Sequence, residues 1–102
     1  VRGVKLTNID VGVNLNRTHF CTVTGVTTQT TGNRGAKGQG HHGIDVMRSS
    51  DVLVTDFNIR TPLLHDLSTE WFNVGVVFAN GRGANLNMDH HREQNYGTLW
   101  SN

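Results

Sequence analysis

The chain has 102 residues, of which 35% are apolar and 17% are charged, and its formal net charge is +1. This length allows one domain with a modest core, and the small net charge gives no reason to expect a nucleic-acid partner. The longest apolar runs are far too short to cross a bilayer, so we expect no membrane-spanning segment. Cys21 is the single cysteine, which excludes a disulfide within the chain.

A glycine followed by alternating apolar residues recurs three times. The copies begin at Gly12, Gly43 and Gly75, at spacings of 31 and 32 residues. Each copy is followed by a second apolar pair; these pairs are Cys21/Val23, Val52/Val54 and Ala84/Leu86. A fixed offset inside a recurring unit is typical of a solenoid. The alternation indicates β-strands with one buried face, on which Asn14 and Asp45 are predicted to point outward.

The predicted elements alternate between a strand A and a strand B. In chain order we expect strand B at 4–7, A at 12–16, B at 20–24, A at 43–47, B at 52–55, A at 75–79, B at 84–87 and A at 97–101. Long connectors at 26–42, 57–74 and 88–96 all leave from one corner, so we expect them to meet on one side of the molecule. The best helical candidate is 64–72, inside the second connector.

The repeat is cut at both of its ends. Residues 4–6 start a strand without a capping segment, and residues 97–100 start another strand at the far end. A solenoid needs polar caps. Residues 1–102 are therefore interpreted as a single uncapped segment of a longer protein, with capping by an oligomeric neighbour as the alternative.

The stretch 43–57 resembles a coil of the right-handed parallel β-helix proteins of the pectate-lyase-like superfamily. Its Gly43-Ile44-Asp45-Val46 start and its Val52-Leu53-Val54 end follow the common coil pattern of those proteins. The resemblance covers essentially the whole chain and implies an all-β, right-handed parallel β-helix of about three to four coils. Segment 85–92 is also similar to part of bacterial β-helix proteins thought to act on polysaccharides. The superfamily contains lyases, glycoside hydrolases, epimerases, tailspikes and adhesins, so the resemblance alone does not select an activity.

The predicted connectors hold most of the reactive side chains, including five of the six histidines. A lyase that cleaves uronates by β-elimination needs a base, a positive charge for the substrate carboxylate and a proton donor. The candidate bases are His42, His65, His90 and His91. The candidate cation is Arg92, and the candidate proton donor is Tyr96. The candidate substrate-binding residues are Lys37, Arg48, Glu70 and Trp71. We therefore expect part of a secreted or periplasmic lyase that acts on an acidic, uronate-containing polysaccharide.

Three other interpretations stay open. A glycoside hydrolase would use two carboxylates, and the sequence offers Asp45, Asp66, Glu70 and Asp89 without selecting a pair. A metal site would draw on His41-His42 or His90-His91, with Asp89 or Asp66 adding an oxygen ligand, although neighbouring residues of an extended strand point opposite ways. No metal ligand is assigned, and a divalent cation such as calcium stays open as a cofactor. A non-catalytic adhesin or tailspike section would only bind glycans.

Overall fold

The computed structural model describes residues 1–31 and 40–101, and within these ranges the chain is all-β. Its strands are β1 (Lys5–Thr7), β2 (Val11–Asn16), β3 (His19–Thr24), β4 (Thr27–Gln29), β5 (His42–Met47), β6 (Ser50–Thr55), β7 (Asn58–Ile59), β8 (His65–Glu70), β9 (Val74–Ala79), β10 (Arg82–Gly83), β11 (Met88–His91) and β12 (Leu99–Ser101). The described residues contain no helix that could span a membrane. The helical candidate at 64–72 is wrong, because β8 occupies it.

The strands form three sheets of four strands each. Sheet I contains β2, β5, β8 and β11; sheet II contains β3, β6, β9 and β12; sheet III contains β1, β4, β7 and β10. The chain visits sheets III, I and II in this order four times, and neighbouring strands are parallel throughout. The prediction of an all-β fold of stacked parallel strands is confirmed.

Apolar side chains from the three sheets pack into one core. In sheet I, Val13 lies beside Ile44, and Ile44 beside Leu67. In sheet II the Phe78 ring stacks on Trp100, with 4.4 Å between ring centroids. Full burial of such side chains contributes about 1.5–3 kcal/mol each. The core therefore decides which face of every strand points outward.

The chain leaves sheet I through a corner that has the same backbone conformation in each of the four passes, where a pass is one visit to sheets III, I and II. Arg17, Arg48, Trp71 and Arg92 directly follow the four strands, and their φ angles lie between 49° and 60°. This left-handed region turns the chain sharply but is uncommon for residues other than glycine. Because the strands are in register, the corner stacks these large side chains along one edge of the sheet.

A row of side-chain hydrogen bonds supports the same corner. Ser49 N donates to Asn73 Oδ1 at 2.9 Å, and Asn73 N donates to Asn95 Oδ1 at 3.2 Å. Thr18 N likewise donates to Ser49 Oγ at 3.1 Å. Each polar side chain thus satisfies a backbone N–H of the preceding pass, which a buried corner requires.

The predicted strand register is wrong in the second half of the chain. Residues 75–79 belong to β9, which pairs with β6 in sheet II rather than with the strand at 43–47. The end of 97–101 forms β12, also in sheet II. Strand B at 84–87 is wrong because those residues form no strand, and the predicted connectors 57–74 and 88–96 contain β7, β8 and β11. Aligned residues of sheet I lie 31, 23 and 21 positions apart, so the long insertion is confined to the pass between β2 and β5.

Glycine is favoured for two different structural reasons in this fold, and this explains why the predicted register is wrong. A Cβ on Gly43 would lie 2.4 Å from the Asp66 carbonyl oxygen, so the neighbouring strand leaves no room for a side chain. Gly75 and Gly97 instead have φ angles of 68° and 60°. Both situations favour glycine. The same glycine-led sequence therefore starts strands in two different sheets.

Candidate functional site

The outward face of sheet I carries a row of polar residues that cross-strand pairing brings side by side. Asn14, Asp45, Ser68 and Asp89 occupy the same position in β2, β5, β8 and β11. Asn14 Nδ2 donates to Asp45 Oδ2 at 2.8 Å, and Ser68 Oγ donates to Asp45 Oδ1 at 2.9 Å. Asp45 points outward as predicted, yet it is only 2% exposed, because side chains from both neighbouring strands cover it.

A buried charged layer lies around Asp45. His42 Nε2 is 3.1 Å from Glu70 Oε1, and these side chains are only 12% and 8% exposed. Burial, and then the nearby charge of Glu70, raises the pKa of Asp45 above its ordinary value of 3.8, although its hydrogen bonds and His42 oppose the rise. His42, Asp45 and Glu70 therefore form one group of ionisable side chains beneath the surface, with ligand atoms within 4.8 Å of one another.

A second, more accessible layer lies on β8 and β11. Asp89 Oδ2 is 3.3 Å from His65 Nδ1 and 3.3 Å from His91 Nδ1. The exposed fractions of these side chains are 30% for Asp89, 22% for His65 and 39% for His91. Partial burial lowers the pKa of His65 below its ordinary value of 6.5, and the charge of Asp89 opposes this only in part. His65 is therefore largely neutral at pH 7.

Four imidazoles meet on this face, and we call His41, His42, His65 and His91 the imidazole cluster. The His41 ring centroid lies 4.3 Å from that of His42 and 5.3 Å from that of His65. The His65 and His91 centroids are 5.6 Å apart. The prediction that His41 and His42 point opposite ways is wrong, because His41 precedes β5 and both backbone N–H groups donate to Asp10 O at the corner.

A cationic and aromatic row lies at the carboxyl end of the same strands, and we call Arg48, Trp71 and Arg92 the arginine–tryptophan ladder. The guanidinium carbon of Arg48 is 5.1 Å from the Trp71 ring centroid, and that of Arg92 is 5.4 Å from it. Both arginines are exposed, and Trp71 is half-buried. Two cations thus flank one indole ring, within the range of cation–π attraction.

Two residues from the predicted site lie elsewhere, and a third is outside the part of the chain that the structure describes. His90 points to the opposite face from His91, where its Nε2 accepts a hydrogen bond from Trp100 Nε1 at 3.2 Å. Tyr96 bridges to Val74 at the start of sheet II, and its hydroxyl donates to Gln94 Oε1. Lys37 lies outside the described residues. The prediction that neighbouring histidines of a strand diverge holds for His90 and His91.

Sequence reasoning missed the roles of two carboxylates. Asp45 was a candidate only for a hydrolase pair, and Asp89 was a candidate for that pair or for a metal ligand, whereas the structure places them beneath and between the histidines. Asn14 and Asp45 occupy the same outward position in two copies of the repeat, which is a signal for a polar row. Asp66, by contrast, accepts hydrogen bonds from the backbone of Leu63 and Asn87 and is fully buried, so it stabilises the fold.

Three overlapping groups of described residues bring ligand atoms within 4.8 Å of one another. They are His41/His42/His65, His65/Asp89/His91 and His42/Asp45/Glu70. Comparison of this chain with protein-family models, with curated proteins and with solved structures found no match.

Proposed function

We propose that the chain is part of a right-handed parallel β-helix of the pectate-lyase-like superfamily, and that it acts on an acidic polysaccharide outside the cytoplasm. The repeated visit to three parallel sheets, with aligned residues 21–31 positions apart, supports the β-helix. The resemblance of residues 43–57 to a coil of that superfamily supports the assignment further.

One observation carries the proposed activity: the imidazole cluster lies on sheet I, and the arginine–tryptophan ladder lies at the carboxyl end of the same strands. Three strands of this face, β2, β5 and β8, have six residues each, which corresponds to about 20 Å. A polysaccharide chain lying along the strands therefore contacts both features. Arg48 and Arg92 attract its uronate carboxylates, and the Trp71 ring packs against a sugar face.

The proposed reaction is β-elimination with His41 as the base. His41 is exposed, and within residues 1–31 and 40–101 no carboxylate lies at salt-bridge distance from its ring. Its imidazole takes the proton from the carbon next to the uronate carboxylate. The electrons of that C–H bond form the new C=C bond, the glycosidic C–O bond breaks, and the leaving oxygen takes a proton from water on this open face.

Hydrolysis has weaker support from the same geometry. A glycosidase needs two carboxyl groups that both reach the scissile bond. Asp45 and Glu70 are 2% and 6% exposed, and both oxygens of Asp45 accept hydrogen bonds. Asp89 is partly exposed, and its short contacts are with His65 and His91 rather than with a second carboxylate.

The test is incubation with a panel of uronate polysaccharides while the absorbance of the unsaturated product is followed. We expect this product to form, and His41→Gln to lower kcat by about 10²–10⁴-fold, the usual contribution of a general base. His19→Gln is the matched control, because His19 is an exposed histidine of sheet II whose Nδ1 pairs with Ser50. Reducing ends released without unsaturated product would overturn the elimination in favour of hydrolysis.

Glycan binding without cleavage is the second candidate, and the arginine–tryptophan ladder favours it. The ladder stands at the corner, outside the three groups formed by the histidines and carboxylates, so it is able to bind an acidic chain by itself. Binding that is lost in Arg92→Ala, together with no cleavage of any polymer in the panel, would support this alternative.

A further inference from the structure

We propose that His65, Asp89 and His91 bind a divalent transition-metal ion, with Zn²⁺ as the reference ion. The ligand atoms are Nδ1 of His65, Oδ2 of Asp89 and Nδ1 of His91. All three lie within 4.8 Å of one another. The metal site goes beyond the proposed function, because its ligands and its test involve no polysaccharide.

The distances fit a tetrahedral ion. Zinc takes histidine nitrogen and carboxylate oxygen ligands at about 2.0–2.2 Å, so two ligands at tetrahedral angles stand about 3.3 Å apart. Asp89 Oδ2 lies 3.3 Å from each of the two Nδ1 atoms. Two of the three distances between ligand atoms therefore already match a tetrahedral ion. A small rotation of the partly exposed His91 ring would bring the third distance, between the two Nδ1 atoms, to the same value.

An unsatisfied oxygen gives independent support. Asp89 Oδ2 is buried, and no group in residues 1–31 or 40–101 makes a hydrogen bond to it. Neither imidazole contact has hydrogen-bond geometry despite the short distance. A buried carboxylate oxygen without a donor destabilises the folded state. A cation between the three side chains removes this destabilisation.

The donor set selects the class of ion. Calcium and magnesium take oxygen ligands, whereas two imidazoles with one carboxylate suit zinc, nickel, copper and iron. The three side chains are 22–39% exposed, which gives the ion a path from solvent and leaves at least one coordination position open. His41, whose ring centroid is 5.3 Å from that of His65, stands next to this site.

A role for the ion in catalysis rests on the proposed function. Elimination requires a positive charge at the uronate carboxylate, and an ion held by His65 supplies it beside His41. Chelation that abolishes cleavage but leaves binding of the polysaccharide intact is the expected result for this role. The metal site itself is tested by measurements of metal binding alone.

The experiment is titration of the metal-free protein with Zn²⁺ by calorimetry, and with Co²⁺ by visible absorption. We expect one equivalent to bind and the Co²⁺ spectrum to show the intense bands of a site with fewer than six ligands. His91→Ala and Asp89→Asn should each weaken binding by at least about tenfold, because even outer-shell changes have effects of that size. His90→Ala is the matched control, since this adjacent histidine faces the other way.

Circular dichroism shows whether each variant is folded. If His91→Ala does not fold, Asp89→Asn still tests the site, because asparagine has the shape of aspartate. Absence of Zn²⁺ binding to the folded wild-type protein would overturn the proposal. Unchanged binding in folded His91→Ala and Asp89→Asn, with binding lost in His41→Ala, would also overturn it by moving the ion to His41, His42 and His65. A failure of cleavage with metal binding intact would count against the proposed function only.

Discussion

Replacement of Asn73 by alanine tests how the corner beside the candidate site is stabilised. Asn73 is completely buried. Its Nδ2 lies 2.7 Å from Val46 O, 2.8 Å from Glu70 O and 2.9 Å from Asn95 Oδ1. Its Oδ1 accepts a hydrogen bond from Ser49 N at 2.9 Å. One side chain therefore joins three successive passes of the chain at the point where β8 ends.

The expected loss follows from these bonds. Asn73 donates two hydrogens, and the two donated bonds contribute about 2 kcal/mol together, at about 1 kcal/mol net each. Truncation also leaves the buried Ser49 N–H without an acceptor, at about 1–3 kcal/mol. Asn73→Ala should therefore lower the free energy of unfolding by about 3–5 kcal/mol, which is a large fraction of the 5–15 kcal/mol typical of a domain.

Urea unfolding of wild-type and variant protein measures this difference, since a lower midpoint at unchanged slope reports stability alone. Asn85→Ala is the control, because Asn85 is exposed in a turn and should change stability by less than about 0.5 kcal/mol. Asn95→Ala should show coupling to Asn73→Ala in a double-mutant cycle. If Asn73→Ala unfolds within about 0.5 kcal/mol of wild type, the hydrogen-bond row does not stabilise the corner.

Three further predictions concern sheet I. Burial raises the pKa of Asp45, so ionisation of this side chain destabilises the folded state as the pH rises through that pKa. The melting temperature of Asp45→Asn relative to that of wild type should therefore increase from pH 3 to 8. A difference that stays constant with pH would contradict this prediction. Gly43→Ala should lose about 1–3 kcal/mol in urea unfolding, because its Cβ would lie 2.4 Å from the Asp66 carbonyl oxygen. Trp71→Ala should weaken the binding of uronate oligosaccharides about tenfold in calorimetry, since it removes a stacking surface, and unchanged affinity would exclude the ladder from the binding site.

The all-β class could be predicted from alternation because a strand buries every second residue whatever its neighbours are. A clustering of histidines was predicted because the connectors were expected to leave one corner, whereas the structure brings His42 and His65 together by pairing β5 with β8. Asp89 could not be placed between His65 and His91, because this requires the register of β8 and β11. His90 was included wrongly, because the parity of β11 depends on where that strand begins.

The sequence by itself determined six of the strands (β1, β2, β3, β5, β6 and β9), their buried apolar face and the polar outward row that starts with Asn14 and Asp45, because these depend on a local period of two. Only the tertiary structure decided which strands are neighbours. Glycine is selected both by close approach, as at Gly43, and by a left-handed turn, as at Gly75, so the local pattern is the same for two positions that belong to different sheets. The contacts between passes resolve this ambiguity, and they also assemble the imidazole cluster, since its members come from three strands far apart in the chain.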